Sequence, residues 1–189
     1  MDDLEFFNSV AFKWDEMCKH DDKKIRRIIE LSDIKSGAKI LDVGTGTGIL
    51  ISYLLEKSPA KIVAVDNSEN MIKVCKNKYN DKRVEFIVND IMNLENYTFD
   101  YIFIYSAYPH FKDKYSLFNK LYNLLNKGGK IIIAHSDSKE KINNVHLKNP
   151  QIKYNVLPPV ENTIIIMNNY FYIDKSIDNE EMYYVSGIK

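Results

Sequence analysis

The run ILDVGTGTGIL, Ile40 to Leu50, constrains this chain more than any other stretch: an apolar segment breaks into glycines at 44, 46 and 48 and then turns apolar again. A buried strand ending in a glycine turn that opens a helix is how open α/β sheets bring the backbone close to a nucleotide. The glycines read GxGxG. The dinucleotide fingerprint GxGxxG requires a glycine at position 49, and Ile49 stands there.

Further apolar runs repeat the first half of that pattern: KILDV from Lys39, KIVAV from Lys61, VEFIV from Val84, FDYIFIY from Phe99 and KIIIAH from Lys130. Continuous runs, rather than apolar and polar alternation, belong to parallel strands covered on both faces. Helical crossovers are predicted from Ile49 to Lys57, Glu69 to Tyr79 and Lys114 to Asn126, the last stopped by KGG. Ahead of them, DDKKIRRIIELSDI places Ile25, Ile28 and Ile29 on one helical face. Beyond the fifth strand a polar helix is predicted from Asp137 to about Leu147, then a proline-rich break from Pro150 to Pro159. The run TIIIM is open to helix or strand. Two strand-like runs around Asp178-Asn179 predict a closing antiparallel hairpin.

The chain has 189 residues and 45% hydrophobic content, enough for one domain with its own core. Three parts are expected within it: a cap and first helix over 1–36, a βα core over 37–135, and an acceptor-side region with the hairpin over 136–189. Lys plus Arg equals Asp plus Glu at 26 each, which gives no cationic excess for a nucleic acid partner. Cys18 and Cys75 have no metal-ligand spacing and fit free thiols in a reducing compartment. No apolar run reaches the roughly 18 residues of a membrane span, so a cytoplasmic location is expected, with oligomeric state left open. The charge run KVCKNKYNDKR is read as a solvated helix face.

The ligand is indicated by acidic residues. Asp42, two residues before the first glycine, would repel a pyrophosphate but attract a cation. S-adenosylmethionine carries an ammonium and a sulfonium, and its carboxylate is expected to take the loop amides and the helix start. Asp66 ends the second strand about 20 positions beyond the glycines, where a carboxylate accepts from ribose hydroxyls. Asp90 ends the third and suits the adenine amine. Met71 is placed either on the adenine face or in the core.

On these residues the chain resembles a class I S-adenosylmethionine-dependent methyltransferase, of the small-molecule and quinone group. LDVGTGTG is similar to that family's first motif, VAVDNSENM to its ribose motif, VNDIMNL to its adenine motif, and LNKGGKIII to its turn into the fifth strand. The resemblance implies a Rossmann-like mixed sheet of order 3-2-1-4-5-7-6 with strand 7 antiparallel, helices on both faces and an N-terminal cap, FFNSVAFKWDEM. The expected cofactor-binding residues are Asp42, Gly44, Thr45, Gly46, Gly48, Asp66, Asn67, Met71, Asn89, Asp90, Ile91, Tyr105 and Trp14, the last standing where the family usually has Tyr.

On the acceptor side, IYSAYPHFKD lacks both the Asn/Asp/Ser-Pro-Pro-aromatic motif of nucleic-acid base methyltransferases and the Arg-Asn pair of quinone enzymes. A small-molecule acceptor is therefore expected, with non-catalytic cofactor binding and RNA or DNA methylation as the alternatives. Proposed catalytic residues are His110, expected as a base, with Tyr108 and His135; His146 is expected to overlie the two histidines. Their spacing does not predict a metal site.

Overall fold

The computed structural model describes residues 2–189. One sheet contains β1 (Lys39–Val43), β2 (Lys61–Asp66), β3 (Val84–Val88), β4 (Phe99–Tyr105), β5 (Leu125–His135), β6 (Tyr172–Asp178) and β7 (Tyr183–Ile188). Its order is β3-β2-β1-β4-β5-β7-β6, with β1 to β5 parallel and β7 antiparallel to both neighbours. That order and polarity are the ones the sequence resemblance implies.

Around the sheet lie α1 (Asp3–Val10), α2 (Trp14–Met17), α3 (Asp22–Ser32), α4 (Ile51–Leu55), α5 (Glu69–Lys78), α6 (Lys114–Leu124), α7 (Lys139–Leu147) and α8 (Val160–Met167). The strand runs are continuously apolar because alternate residues enter two different cores. Leu41, Val63, Ile102, Ile131 and Val185 pack with Phe118 of α6 and Met167 of α8. Ile40, Ile62, Phe103, Ile132 and Tyr184 pack with Ile25, Ile28 and Ile29 of α3. Full burial of each of those isoleucines contributes about 1.5–3 kcal/mol. Polar caps begin the helices: Asp21 accepts from the Lys23 and Lys24 amides, Ser68 from Met71, Asp113 from Ser116 and Ser138 from Lys141.

Three boundaries differ from the sequence expectation. The helix after the glycine loop starts at Ile51 instead of 49 and is only five residues long. Helix α6 ends at Leu124, before KGG, because Leu125 is already extended and pairs with Phe99. The glycines instead lie within β5, where the register shifts between Phe99 and Tyr101. TIIIM is helical, in α8, beginning after Pro159. The closing hairpin turns through Asn179, whose side chain accepts from the amides of Glu181 and Met182.

Candidate active site

Parallel pairing brings the carboxyl ends of β1, β2 and β4 to one edge, and the sheet delivers Asp42 and Asp66 there. Asp42 is buried, 2% exposed, with Oδ2 accepting from the Thr45 hydroxyl at 2.6 Å. Burial pushes its carboxyl up to about 7; the Thr45 bond opposes that shift and the nearby Asp66 charge adds to it. Asp66 is also raised by burial, against two backbone bonds: Gly46 N–H to Oδ2 at 2.8 Å and Ser68 N–H to Oδ1 at 2.9 Å.

The glycine loop is tightly folded on itself. Gly44 holds φ +67°, and a Cβ there would lie 2.7 Å from Ala107 Cβ beyond β4. The Gly44 and Thr45 amides donate to Val65 O at 2.8 and 3.0 Å. Three loop amides expected to meet a cofactor carboxylate are thus bonded within the chain. Gly48, at φ +85°, faces away from this edge: its Cβ would lie 2.5 Å from Cys75 Sγ and 2.9 Å from both Ile51 and Tyr79. Its lack of a side chain lets the loop pack on α5.

At the neighbouring strand ends Asn67 is exposed, Met71 is buried and Asn89 donates its amide to Asp66 O at 3.0 Å. Asp90 is exposed and caps a single turn by accepting from Met92 N–H at 2.9 Å, with Ile91 buried beneath it. Tyr105, expected among the cofactor residues, is buried; its hydroxyl donates to Ser136 Oγ at 2.8 Å and meets His20 Nδ1 at 2.9 Å.

The N-terminal cap closes over this half of the site through polar contacts that sequence patterning did not show. Asn8 Oδ1 accepts from Ser68 Oγ at 2.9 Å and from Asn70 N–H at 3.2 Å, while Asn70 Nδ2 donates to Asn8 O at 3.0 Å. Asp15 accepts from Thr47 Oγ1 at 2.5 Å and pairs with Lys78 at 2.8 Å. Trp14 packs edge-on against Phe7 with ring centres 5.5 Å apart.

On the acceptor side Ser106 adopts φ +54°, turning the chain out of β4 into the Tyr108–His110 turn. His110 is half-buried. Tyr108 is not available there: it is fully buried against Phe118, and burial pushes its hydroxyl up to about 12. Lys114 donates to the carbonyls of Tyr108 and Phe111, and burial lowers it to about 8. His135 is 1% exposed, neither ring nitrogen has a hydrogen-bond partner, and burial lowers its pKa to about 3. His146 lies 5.3 Å from His110 between ring centres. Asp3 and Asn155, which no motif marked, connect to the same histidines. Among the described residues no group of three or more His, Cys, Asp or Glu is arranged to hold a metal.

A family model described as a methyltransferase domain matches residues 34–185. The chain belongs to this methyltransferase family. The class I S-adenosylmethionine-dependent resemblance thus stands at the level of family and fold, and S-adenosylmethionine is the cofactor of that class. Among relatives, a malonyl-[acyl-carrier protein] O-methyltransferase of Acetivibrio thermocellus is 33% identical over 127 residues, 65% of this chain and 45% of the relative. The methyltransferase chain spans about half the length of that relative. Among solved structures, a chain from the complex of the Haloferax volcanii Trm112 methyltransferase activator with a methyltransferase superposes with a TM-score of 0.82 at 13% identity, covering 100% of this chain and 98% of that one. Phosphoethanolamine N-methyltransferase 2 of Haemonchus contortus, in complex with S-adenosyl-L-methionine, gives 0.78 at 19% identity, covering 99% of this chain and 58% of that one. These two likenesses concern the fold. The cofactor fits the residues present: the Asp42 and Asp66 carboxylates suit its cationic groups, and a Cβ at Gly46 would meet nothing within 4 Å, so the loop is open there.

Proposed function

We propose that this methyltransferase moves the methyl group of S-adenosylmethionine to a small-molecule acceptor by in-line displacement. The observation that carries the reading is the pair of carboxylates at the glycine loop, Asp42 and Asp66, both driven toward protonation by burial. Such a pair favours a cationic ligand and opposes a pyrophosphate. When bound, the cofactor supplies a methyl group on a sulfonium whose charge is lost on transfer.

The chain's own contribution is alignment and exclusion of water. Asp42 would hold the ammonium, with Gly44, Thr45 and Gly46 only lining the amino acid end because their amides are bonded within the chain; Asp66 and Asn67 would hold the ribose, and Met71, Asn89, Asp90 and Ile91 the adenine. The α1–α2 cap, tied down by Asn8 and Asp15, keeps water from the sulfonium. Alignment supplies roughly 7–11 kcal/mol of a barrier, more than a general base adds. His110 stands half-buried on the acceptor side, whereas His135 is fully buried and would act on the acceptor only indirectly.

Balanced charge and the absence of a base-methylation motif in SAYP support a small molecule over RNA or DNA. Free thiols at Cys18 and Cys75 support a reducing, cytoplasmic setting; no helix among the described residues is long and apolar enough to cross a membrane. Calorimetric titration tests the cofactor: S-adenosylmethionine and S-adenosylhomocysteine should bind far more tightly than NAD, and Asp66→Ala should weaken both. Comparable NAD affinity overturns the reading. Screening acceptors with radiolabelled cofactor separates catalysis from binding alone.

A further inference from the structure

Asn155 lies between two histidines and touches each through a different group. Its side-chain Nδ2 is 2.8 Å from Asp3 Oδ2 and 2.9 Å from His110 Nδ1, while its main-chain carbonyl meets His146 Nδ1. Asp3 Oδ2 is an ionised carboxylate oxygen at neutral pH and only accepts; it stands 3.5 Å from His110 Nδ1, farther than Asn155 Nδ2 does. The Asn155 atom facing it is therefore the amide NH2. The same NH2 faces His110 Nδ1, which in the uncharged ring must be the bare nitrogen, leaving the proton on Nε2. A carbonyl also only accepts, so His146 carries its proton on Nδ1 and leaves Nε2 bare.

We infer that Asn155 holds His110 and His146 in opposite tautomers, and that this donor and acceptor pair receives a hydroxyl group as the methyl acceptor, with His146 as the base. The inference rests on the methyl-transfer reading above and names its acceptor. His110 Nε2–H donates to one lone pair of the hydroxyl oxygen, and the other lone pair attacks the methyl carbon. The O–C bond forms, the C–S bond breaks with its electron pair left on sulfur, and the hydroxyl proton passes to His146 Nε2.

Other acceptors fit the pair less well. An uncharged amine has one lone pair, which the His110 donor would occupy. A carboxylate has no proton to give and would face the bare nitrogen of His146. A second observation concerns His135, which ends β5 fully buried with both ring nitrogens unpartnered. An uncharged imidazole offers one donor and one acceptor, and a hydroxyl-bearing ligand or its water can use both. The charged and titratable groups facing the pair are Asp3, Asp66, His135 and, acting on Asp3, Lys112. Phe7 covers the His110 ring edge-on at 5.0 Å.

Isotope-labelled nitrogen NMR of the free protein, at a pH above the histidine titrations, reads the protonated ring nitrogen directly and needs neither cofactor nor acceptor. The expected result is His110 protonated on Nε2 and His146 on Nδ1. Asn155→Ala should move the His110 proton to Nδ1, toward Asp3, and leave His146 unchanged because its bond is to main chain. A wild-type His110 proton on Nδ1, or a His146 proton on Nε2, overturns the inference. For the chemistry, S-adenosylhomocysteine formation is followed against pH with matched hydroxyl and amine compounds. Hydroxyl turnover is expected, with an acid-side inflection that survives His110→Gln, and His146→Gln should lower kcat/KM by about 10²-fold and remove the inflection. Turnover confined to amines, or an inflection that follows His110, overturns the base assignment. No turnover with any acceptor counts against the methyl-transfer reading, while the spectra still decide the tautomers.

Discussion

The Thr45 hydroxyl donates to the Asp42 carboxylate at 2.6 Å inside a site closed to solvent, and this bond alone opposes a burial that lifts Asp42 to about 7. The carboxyl is therefore half-ionised near neutrality in the free protein. A cationic ligand binds the ionised form, so S-adenosylmethionine affinity should rise about tenfold between about pH 6 and about pH 8, with proton release on binding. Titration calorimetry in buffers of different ionisation enthalpy measures both. The sign for stability is opposite: the folded state retains a proton that the unfolded chain loses above about 3.8, so Asp42 stabilises less as pH rises toward about 7. Thr45→Val should raise the carboxyl further and weaken binding at neutral pH.

Asn8 joins the cap to the β2–α5 corner through three hydrogen bonds. Hydrogen exchange over 3–17 should slow when S-adenosylhomocysteine is added, and Asn8→Ala should speed it in the free protein. Each bond lost costs about 0.5–1.5 kcal/mol of closure. Exchange that ignores the ligand would mean that Phe6, Phe7 and Trp14 are simply core.

Two of the loop glycines, Gly46 and Gly48, should separate by substitution. Gly48→Ala forces a Cβ to within 2.5 Å of Cys75 Sγ at φ +85° and should cost about 1–3 kcal/mol of stability, read by denaturant unfolding. Gly46→Ala meets nothing within 4 Å and carries only the left-handed strain of about 1–2 kcal/mol. Its main effect should be on cofactor affinity.

His135 is buried uncharged, its pKa depressed by burial to about 3, so the fold loses stability as pH falls from about 6.5 through that range. His135→Leu removes this loss along with two unpartnered nitrogens. Acid unfolding should shift to lower pH, with stability at neutral pH unchanged or improved. If the ring positions the acceptor, KM should rise while cofactor affinity stays the same.

The strands were legible because both faces of the sheet are covered, leaving apolar runs too continuous to be mistaken for half-exposed strands. Asp42 and Asp66 were legible because the strand ends fix them in register with the glycines. TIIIM was ambiguous since so short a run, four apolar residues behind a threonine, fits either period, and packing of Val160, Thr163 and Met167 decided for helix. The burial of Tyr108 was not legible because a short turn gives no side-chain period, so nothing in SAYPHF tells which residue enters the core. His146 was singled out in the sequence, whereas Asn155 and Asp3 come from segments of weak pattern, joined to the histidines only through tertiary contacts. Sequence spacing cannot show that one amide will stand between two imidazoles.

The Asp3 to Asn155 hydrogen bond spans 152 positions. Closing so long a loop has an entropic cost that local helices and neighbouring strands do not meet, and contacts of this separation form late. Asp3 is made 152 positions ahead of Asn155, so β1 to β5 are all synthesised before its partner exists. The chemistry at His110 and His146 is thus completed at the end of folding, and a nascent chain that has already built the glycine loop would still lack the amide that sets its imidazoles.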